Sequence, residues 1–301
     1  MYLQKHGRAI NEFPAIANTF TFQAIYSKMK TLYLTLSFLT IFVNRAYAQD
    51  TIYLENYVGN LKKVNVTVGS NSYSFLFDSG GGETFISPEI AKSLGKTIYG
   101  STTGFRMNGE MIKYRKTDSI SLDIYHTSIF HSTIGILDIM SLLPKGFSKL
   151  DGVISLKSFH DKILTLDLAN NRIILETTSS YRKLIKNKIA LQSRFANGPD
   201  GNELIIFLGI HKQKHLYWFL FDSGNLGELL LSHHTAYEWG LESDTVSQWK
   251  QLGSLNINIG IKQFTSEAAS KDIIYDGSLN FDILSKSTFI INFSQKQVWL
   301  Y

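Results

Sequence analysis

Apolar and polar residues alternate along most of the chain after residue 50, which is the pattern of strands with one buried face. Residues 64–77, VNVTVGSNSYSFLF, form two such runs around a Gly-Ser-Asn-Ser turn and predict a β-hairpin. Residues 205–221, IIFLGIHKQKHLYWFLF, show the same arrangement around His211 to Lys214. Further short strands are predicted at Lys113–Asp123, Ile163–Leu168, Arg172–Leu175, Leu255–Ile259, Phe289–Phe293 and Gln297–Tyr301.

Helical patterns are brief. Pro88–Leu94 follows Ser87, and His233–Trp239 follows Ser232. Serine is a favoured N-cap because its hydroxyl accepts a hydrogen bond from a free backbone N–H of the first helical turn. The sequence therefore predicts a mainly β protein with two short helices at matching places.

One motif occurs twice, as FLFDSGGGETFIS at 75–87 and as FLFDSGNLGELLLS at 219–232. A second matched pair follows, Asp151-Gly152 and Asp276-Gly277, and its offset of 125 residues holds without a gap to the ends of both copies. Repetition of a whole unit predicts two homologous lobes. We place the N-terminal lobe at 49–178, a linker at 179–188 and the C-terminal lobe at 189–301.

Residues 29–48 have the layout of a secretory signal: a basic start at Met29-Lys30, the apolar stretch TLYLTLSFLTIFV and the small-residue site Ala46-Tyr47-Ala48. A membrane anchor is the alternative, but the stretch is shorter than the ~20 residues that span a bilayer. We expect a signal peptide that is cleaved after Ala48, a periplasmic or secreted protein, and no stable membrane insertion afterwards. Residues 1–28 are then an upstream segment, with Met29 as the candidate initiator.

Charge and cysteine content narrow the choice of function. The chain has a net charge of +5, but residues 1–48 hold five basic residues against one acidic residue, which leaves the rest nearly neutral. A nearly neutral protein has no electrostatic footprint for nucleic acid. The chain has no cysteine, so an exported protein of this sequence is held together by its core alone.

Two aspartates, Asp78 and Asp222, follow the same apolar strand in the two copies. A single Asp-Ser-Gly is a common turn. At equivalent positions of two lobes, however, two carboxylates can meet across an approximate twofold axis and share one proton, because like charges that close cannot both ionise. One then acts as general base and the other as general acid on a water molecule. Such a pair can hydrolyse an amide with no metal and no cofactor, and we expect neither.

These residues resemble the aspartic peptidases, both pepsin-like and retropepsin-like, over most of residues 51–301. The resemblance is carried by FLFDSG at 75–80 and 219–224, by Phe85-Ile86-Ser87, and by the Asp-Gly pairs that begin at 151 and 276. It implies a mainly β, bilobal pepsin-like acid protease fold, with two β-barrel-like lobes related by a pseudo-twofold axis. It also implies the site residues: catalytic Asp78 and Asp222, with Ser79, Gly80, Ser223 and Gly224 supporting the two active-site loops.

The family's serine hydroxyls bond across the lobes, which is the role that the resemblance implies for Ser79 and Ser223. The sequence departs from the family two residues after each of these serines, where Gly81 and Asn225 stand in place of the usual Ser, Thr or Ala. The asparagine side chain can donate a hydrogen bond to a carboxylate, whereas glycine has no side chain that could do so. We therefore expect the two aspartates to have unequal surroundings.

The first copy is longer between its motifs than the second. The extra length contains a tight turn at Asn108-Gly109. We interpret it as a flap that closes over substrate, with an ordinary surface hairpin as the alternative. The predicted flap residues are Phe105, Arg106, Met107, Asn108 and Gly109.

Two functions follow from this sequence. The first is an exported aspartic endopeptidase with a two-aspartate site that acts on a peptide or protein substrate as a monomer. The second is a catalytically silent protein that keeps the cleft and binds peptides. Two independent β domains without a shared site are disfavoured, because the two carboxylates occupy equivalent positions.

Overall fold

The structure is a computed structural model that describes Lys30 and residues 49–198, 200–241 and 249–301. The expected signal peptide at 29–48, apart from Lys30, and the upstream segment 1–28 lie outside the described residues. No helix within the described part of the chain combines the length and the apolar character needed to cross a membrane.

Strands dominate the fold. In chain order they are β1 (Asp50–Tyr53), β2 (Glu55–Asn56), β3 (Lys62–Val68), β4 (Asn71–Asp78), β5 (Phe85–Ile86), β6 (Tyr99–Phe105), β7 (Met111–Ile124), β8 (Thr127–Ile136), β9 (Gly152–Ser155), β10 (Ile163–Asp167), β11 (Arg172–Leu175), β12 (Ala190–Leu191), β13 (Ser193–Asn197), β14 (Leu204–Lys212), β15 (His215–Phe221), β16 (Leu229–Ser232), β17 (Trp249–Ile259), β18 (Lys262–Lys271), β19 (Gly277–Leu279), β20 (Phe289–Asn292) and β21 (Gln297–Leu300). The α-helices are α1 (Pro88–Ser93), α2 (Thr178–Ile185), α3 (His233–Glu238) and α4 (Phe281–Ser285).

The prediction of a mainly β protein is confirmed. Both predicted hairpins form, as β3–β4 and β14–β15, and each of the other predicted strands coincides with an observed one. The two predicted helices begin after Ser87 and Ser232, whose hydroxyls accept hydrogen bonds from Ile90 N and Thr235 N. Sequence patterns missed β8, whose exposed face includes Phe130, and β18, whose exposed face is polar. They also missed α2, which occupies most of the predicted linker.

The strands of the described residues form three sheets. One has eight strands in the order β2-β3-β4-β9-β5-β8-β7-β6, and all of them precede residue 156. A second has seven strands in the order β13-β14-β15-β19-β16-β18-β17, and all of them follow residue 192. The third, β1-β11-β10-β20-β21-β12, takes strands from both halves of the chain, which are joined where Leu164 pairs with Ile291 and Leu166 with Phe289.

The same strand pairing occurs in the two larger sheets. In the first, β9 runs parallel to β4 and antiparallel to β5; in the second, β19 runs parallel to β15 and antiparallel to β16. The register also agrees, because Phe75 pairs with Gly152 and Phe219 pairs with Gly277. The sequence repeat is therefore a repeat of structure, and it brings the ends of β4 and β15 to equivalent places.

The glycine in each Asp-Gly pair is explained by packing. A Cβ atom at Gly152 would lie 2.3 Å from the ring of Phe75, and one at Gly277 would lie 2.3 Å from the ring of Phe219. The aspartate of each pair fixes the neighbouring strand, because Asp151 Oδ2 accepts from Ser74 N at 3.1 Å and Asp276 Oδ2 accepts from Trp218 N at 2.7 Å. These two aspartates thus have a structural role.

The core is built by the apolar runs that precede the two Asp-Ser-Gly triplets. The phenylalanines of these runs are at most 1% exposed: Phe75, Phe77, Phe219 and Phe221. Burying a side chain of this size contributes about 1.5–3 kcal/mol of stability. The two triplets therefore begin at rigid, fully packed strand ends, which fixes the position of the residues that follow.

Candidate active site

The two Asp-Ser-Gly loops meet and are hydrogen-bonded to each other. Ser79 N donates to Ser223 Oγ at 3.0 Å, and Ser223 N donates to Ser79 Oγ at 2.8 Å. Ser79 Oγ also donates to the carbonyl oxygen of Phe221 at 2.9 Å. Both serines are buried, so these bonds lie out of water and hold the two loops in one relative position.

Glycines allow the loops to approach each other's carboxyl group. A Cβ atom at Gly80 would lie 2.5 Å from Asp222 Oδ1, and one at Gly224 would lie 2.9 Å from Asp78 Oδ1. Any larger residue at either position would displace the aspartate of the opposite loop. The glycine of each triplet is thus required by the aspartate of the other triplet.

Backbone N–H groups orient both carboxyl groups. Gly80 N donates to Asp78 Oδ1 at 2.9 Å, and Gly224 N donates to Asp222 Oδ1 at 2.8 Å. On the other side of the second carboxyl group, Ser278 Oγ lies 3.5 Å from Asp222 Oδ2. Matching donors in the two loops give the two side chains matching orientations.

The two carboxyl groups interact with each other, and the pKa of each is raised above its usual value. Burial raises the pKa of Asp78, and hydrogen bonding from backbone N–H groups and the interaction with Asp222 offset part of that rise. Burial and then the charge of Asp78 raise the pKa of Asp222 well above its usual value. In a pair of this kind, one carboxyl group keeps a proton while the other is ionised. Such a pair can accept and donate a proton in the same step.

The expected asymmetry between Gly81 and Asn225 takes another form. The side chain of Asn225 does not donate to Asp222; its Nδ2 donates to the carbonyl oxygen of Glu228 at 3.1 Å. The backbone N–H groups of Gly81 and Asn225 instead lower the pKa values of Asp78 and Asp222 respectively. The asparagine thus stabilises its own loop, because its side-chain amide hydrogen-bonds within the tight turn at 225–228.

A cavity of about 610 Å³ opens over the two aspartates. Four of the predicted flap residues line it, Phe105, Arg106, Met107 and Asn108, and Gly109 lies in the turn of the same hairpin between β6 and β7. Gly109 has a φ of 80°, which suits glycine at this tight turn. The tip contacts the other half of the chain, where Ile274 N donates to Met107 O at 3.0 Å.

The cavity wall includes residues that the sequence analysis missed, and three of them form a polar cluster: Glu83, Tyr114 and Glu203. The Tyr114 hydroxyl donates to Glu83 Oε2 and lies 3.2 Å from Glu203 Oε1. The sequence contains a signal for Glu83, because it is the one charged residue between the first Asp-Ser-Gly triplet and the strand that follows it. Glu203 carries no such signal, because only the tertiary structure brings it to the cavity.

Comparison with solved structures gives the fold but no family. Conglutin gamma, a basic 7S globulin from lupine seeds, shares 8% identity over 84% of this chain and 94% of its own, with a TM-score of 0.52. Basic 7S globulin from soybean shares 8% identity over 84% of this chain and 95% of its own, with a TM-score of 0.50. No protein-family model matches the chain, and no curated protein matches it.

These comparisons correct the family assignment suggested by the motifs. The chain was expected to be a member of the aspartic peptidases, yet the similar structures are named as basic 7S globulins and neither sequence comparison supports that family. The physical reason is that Asp-Ser-Gly and Asp-Gly are short motifs set by strand ends and close packing. They specify a local geometry, and at 8% identity only the fold is shared.

Proposed function

We propose that the protein hydrolyses peptide bonds with a water molecule activated between Asp78 and Asp222. One observation carries this proposal: the carboxyl groups of Asp78 and Asp222, at the ends of equivalent strands, each lie against the glycine of the other's loop, interact electrostatically and share the floor of a cavity. A protein that needs only stability gains little from such a pair, because burying a charge is costly. Hydrolysis is the chemistry for which a shared proton is useful.

The proposed reaction uses the pair as base and acid together. The ionised aspartate takes a proton from water as the oxygen attacks the amide carbon, and the protonated aspartate hydrogen-bonds to the carbonyl oxygen that becomes negative. The tetrahedral species then collapses: the C–N bond breaks as the leaving nitrogen receives the proton that the first aspartate took from water, and the carbonyl double bond forms again. The two carboxyl groups return to one shared proton, so no other reactant is consumed.

The cavity suits an extended peptide. Phe105 and Ile274, at its mouth, are 62% and 53% exposed, and apolar side chains left in water commonly mark a binding surface. The flap tip and the loop at Ile274 meet above the aspartates through one backbone hydrogen bond. An entering peptide would replace that bond with bonds of its own, at little net cost.

The finer architecture belongs to the same proposal. We infer two lobes, related by an approximate twofold axis that passes between Asp78 and Asp222. The support is the identical pairing of β4, β5 and β9 with that of β15, β16 and β19, together with reciprocal hydrogen bonds between the two serines.

The test is cleavage of an unfolded protein substrate between about pH 3 and pH 7, the range in which paired carboxyl groups titrate. Asp78→Asn and Asp222→Asn should each abolish cleavage and leave the fold intact. Asp161→Asn, at an exposed aspartate paired with Lys162, is the matched control and should retain full turnover. Wild-type turnover in either dyad variant would refute the shared site.

A second function, a catalytically silent peptide-binding protein, would use the same cavity and the same exposed apolar side chains at its mouth. This alternative predicts that peptides bind in the cavity and remain uncut at every pH. Binding measured by calorimetry, with mass spectrometry of the recovered peptide, separates the two functions. Recovery of intact peptide after prolonged incubation would favour the silent binder.

A further inference from the structure

A cluster of acidic side chains lies on the wall of the same cavity. Glu83 is only 3% exposed and Glu203 is half-buried, yet both line the space above Asp78 and Asp222. Tyr114 stands between them, with its hydroxyl bonded to Glu83 Oε2 and 3.2 Å from Glu203 Oε1. Carboxylates in so dry a place need partners.

The cluster is short of hydrogen-bond donors. A tyrosine hydroxyl carries one hydrogen, so Tyr114 can donate fully to only one of the two carboxylates. Within the described residues, the buried Oε1 of Glu83 accepts no hydrogen bond, and the nearest ammonium, Lys116 Nζ, lies 3.9 Å away. A buried carboxylate oxygen without a donor is costly and indicates that a donor from outside completes the site.

The charges around the cluster do not balance either. Lys116 is buried and forms its close ion pair with Asp200, while Lys157 donates to the carbonyl oxygen of Gly201. Three carboxylates, those of Glu83, Asp200 and Glu203, thus face two ammonium groups. Burial raises the pKa of Glu83 to about 7 although Tyr114 and Lys116 oppose the shift, and burial also raises the pKa of Glu203. Both carboxylates would be stabilised by one more positive charge.

The cluster adjoins the two aspartates. Tyr275 lies on the same cavity wall, and its pKa is raised by burial and then by the charges of Glu203 and Asp222. Its phenol is therefore within electrostatic reach of both groups. A cation held by the cluster would belong to a molecule that also covers the aspartates.

An organic cation fits better than a metal ion. Among the described residues, no three His, Asp or Glu side chains converge in the manner of a metal site. The acceptors here are spread along a wall and separated by an aromatic ring, which suits a long side chain that ends in several N–H donors. Lysine and arginine are the side chains with that form.

We propose that Glu83 and Glu203 form a subsite for the ammonium or guanidinium group of a lysine or arginine side chain in the peptide that the cavity binds. The inference rests on the proposed function and gives it a substrate class: peptides with a basic residue near the cleaved bond. The incoming N–H donors supply the missing hydrogen bonds, and the incoming charge completes the balance.

The experiment compares matched peptides in which one lysine, moved through the positions on either side of the cleaved bond, is replaced by norleucine. Binding is measured by calorimetry on the Asp222→Asn variant, and kcat/KM on the wild type. At one position near neutral pH, lysine should be preferred by about tenfold to a hundredfold, the value of a charged hydrogen-bonded contact. Glu83→Gln and Glu203→Gln, made in both backgrounds, should each reduce that preference severalfold, whereas the exposed Glu267→Gln should preserve it.

The pH dependence gives a signature that a general loss of stability would not produce. The preference for lysine should fall as the pH drops from about 8 to 5, because Glu83 gains a proton and loses its charge. Tyr114, Lys116, Lys157, Asp200 and Glu203 are the charged and titratable groups around it, and none of them restores a negative charge at lower pH.

The outcomes separate this inference from the proposed function. Equal binding of the lysine and norleucine peptides at every position near neutral pH would overturn the subsite, and so would a preference that both glutamine variants preserve. If the wild type cleaves both peptides equally well, the subsite fails and the proposed function stands. If lysine is selectively bound but never cleaved, the subsite stands and the hydrolytic function fails. Should Glu83→Gln fail to fold, the half-buried Glu203→Gln decides the question.

Discussion

At the scale of single residues, the surroundings of Asp222 disfavour its charged form. The residue is 6% exposed, and both burial and the neighbouring charge of Asp78 raise its pKa well above the usual value. Folding at neutral pH must therefore either bind a proton or bury a second negative charge, and both lower stability relative to an uncharged residue.

This environment predicts that Asp222→Asn raises the melting temperature at pH 7, although it abolishes activity. Below the unfolded-state pKa of about 3.8, Asp222 is neutral in both states, so the variant and the wild type should differ little. As the pH rises from there towards the raised folded-state pKa, the wild type loses stability and the variant does not, so the difference between them should widen. Thermal unfolding followed by circular dichroism across that range measures the effect, and a lower melting temperature for the variant at pH 7 would contradict it.

The two serines predict an asymmetric effect. Ser79 Oγ takes part in two of the bonds between the loops, one to Phe221 O and one from Ser223 N, whereas Ser223 Oγ accepts one, from Ser79 N. Ser79→Ala should therefore cost about 1–3 kcal/mol of stability for each buried group left unpaired, and more than Ser223→Ala. Urea unfolding of the two variants measures both losses of free energy of unfolding. Equal losses would show that the extra hydrogen bond of Ser79 contributes nothing measurable to stability.

At the scale of elements, the glycine at the start of β19 decides how closely β19 and β15 pack. Gly277→Ala should destabilise by about 1–3 kcal/mol or more, because the ring of the fully buried Phe219 would have to move. Gly227→Ala is the matched control, since its Cβ would lie 3.6 Å from its neighbour, an ordinary contact. Denaturant unfolding of both variants tests this; a Gly277→Ala protein as stable as the control would refute the packing argument.

At the scale of the whole molecule, the expected export gives a prediction that is independent of catalysis. Protein recovered from the periplasm or the medium should begin at Gln49, the residue after the small-residue site. Mass spectrometry of the N-terminal peptide is the suitable measurement, because an N-terminal glutamine can cyclise and block stepwise sequencing. Recovery of chains that retain residues 29–48 in a membrane fraction would support the anchor instead.

The sequence by itself determined the local structure. Alternating runs predicted the hairpins β3–β4 and β14–β15, and serine N-caps predicted α1 and α3, because strand faces and helix ends depend on residues close in the chain. The repeated motif predicted that Asp78 and Asp222 end equivalent strands. It could not determine the family, since motifs this short follow from strand ends and close packing.

The tertiary structure decided what surrounds the aspartates. Folding directs the side-chain amide of Asn225 to the backbone of its own loop. It also places Glu203 within hydrogen-bonding distance of Tyr114 and pairs β10 with β20, which joins the two halves of the chain. These contacts link residues far apart in the chain, and no local pattern records them. The charge of a buried group such as Glu83 is set by these distant neighbours and by the exclusion of water, so it follows from the assembled fold and not from the sequence pattern.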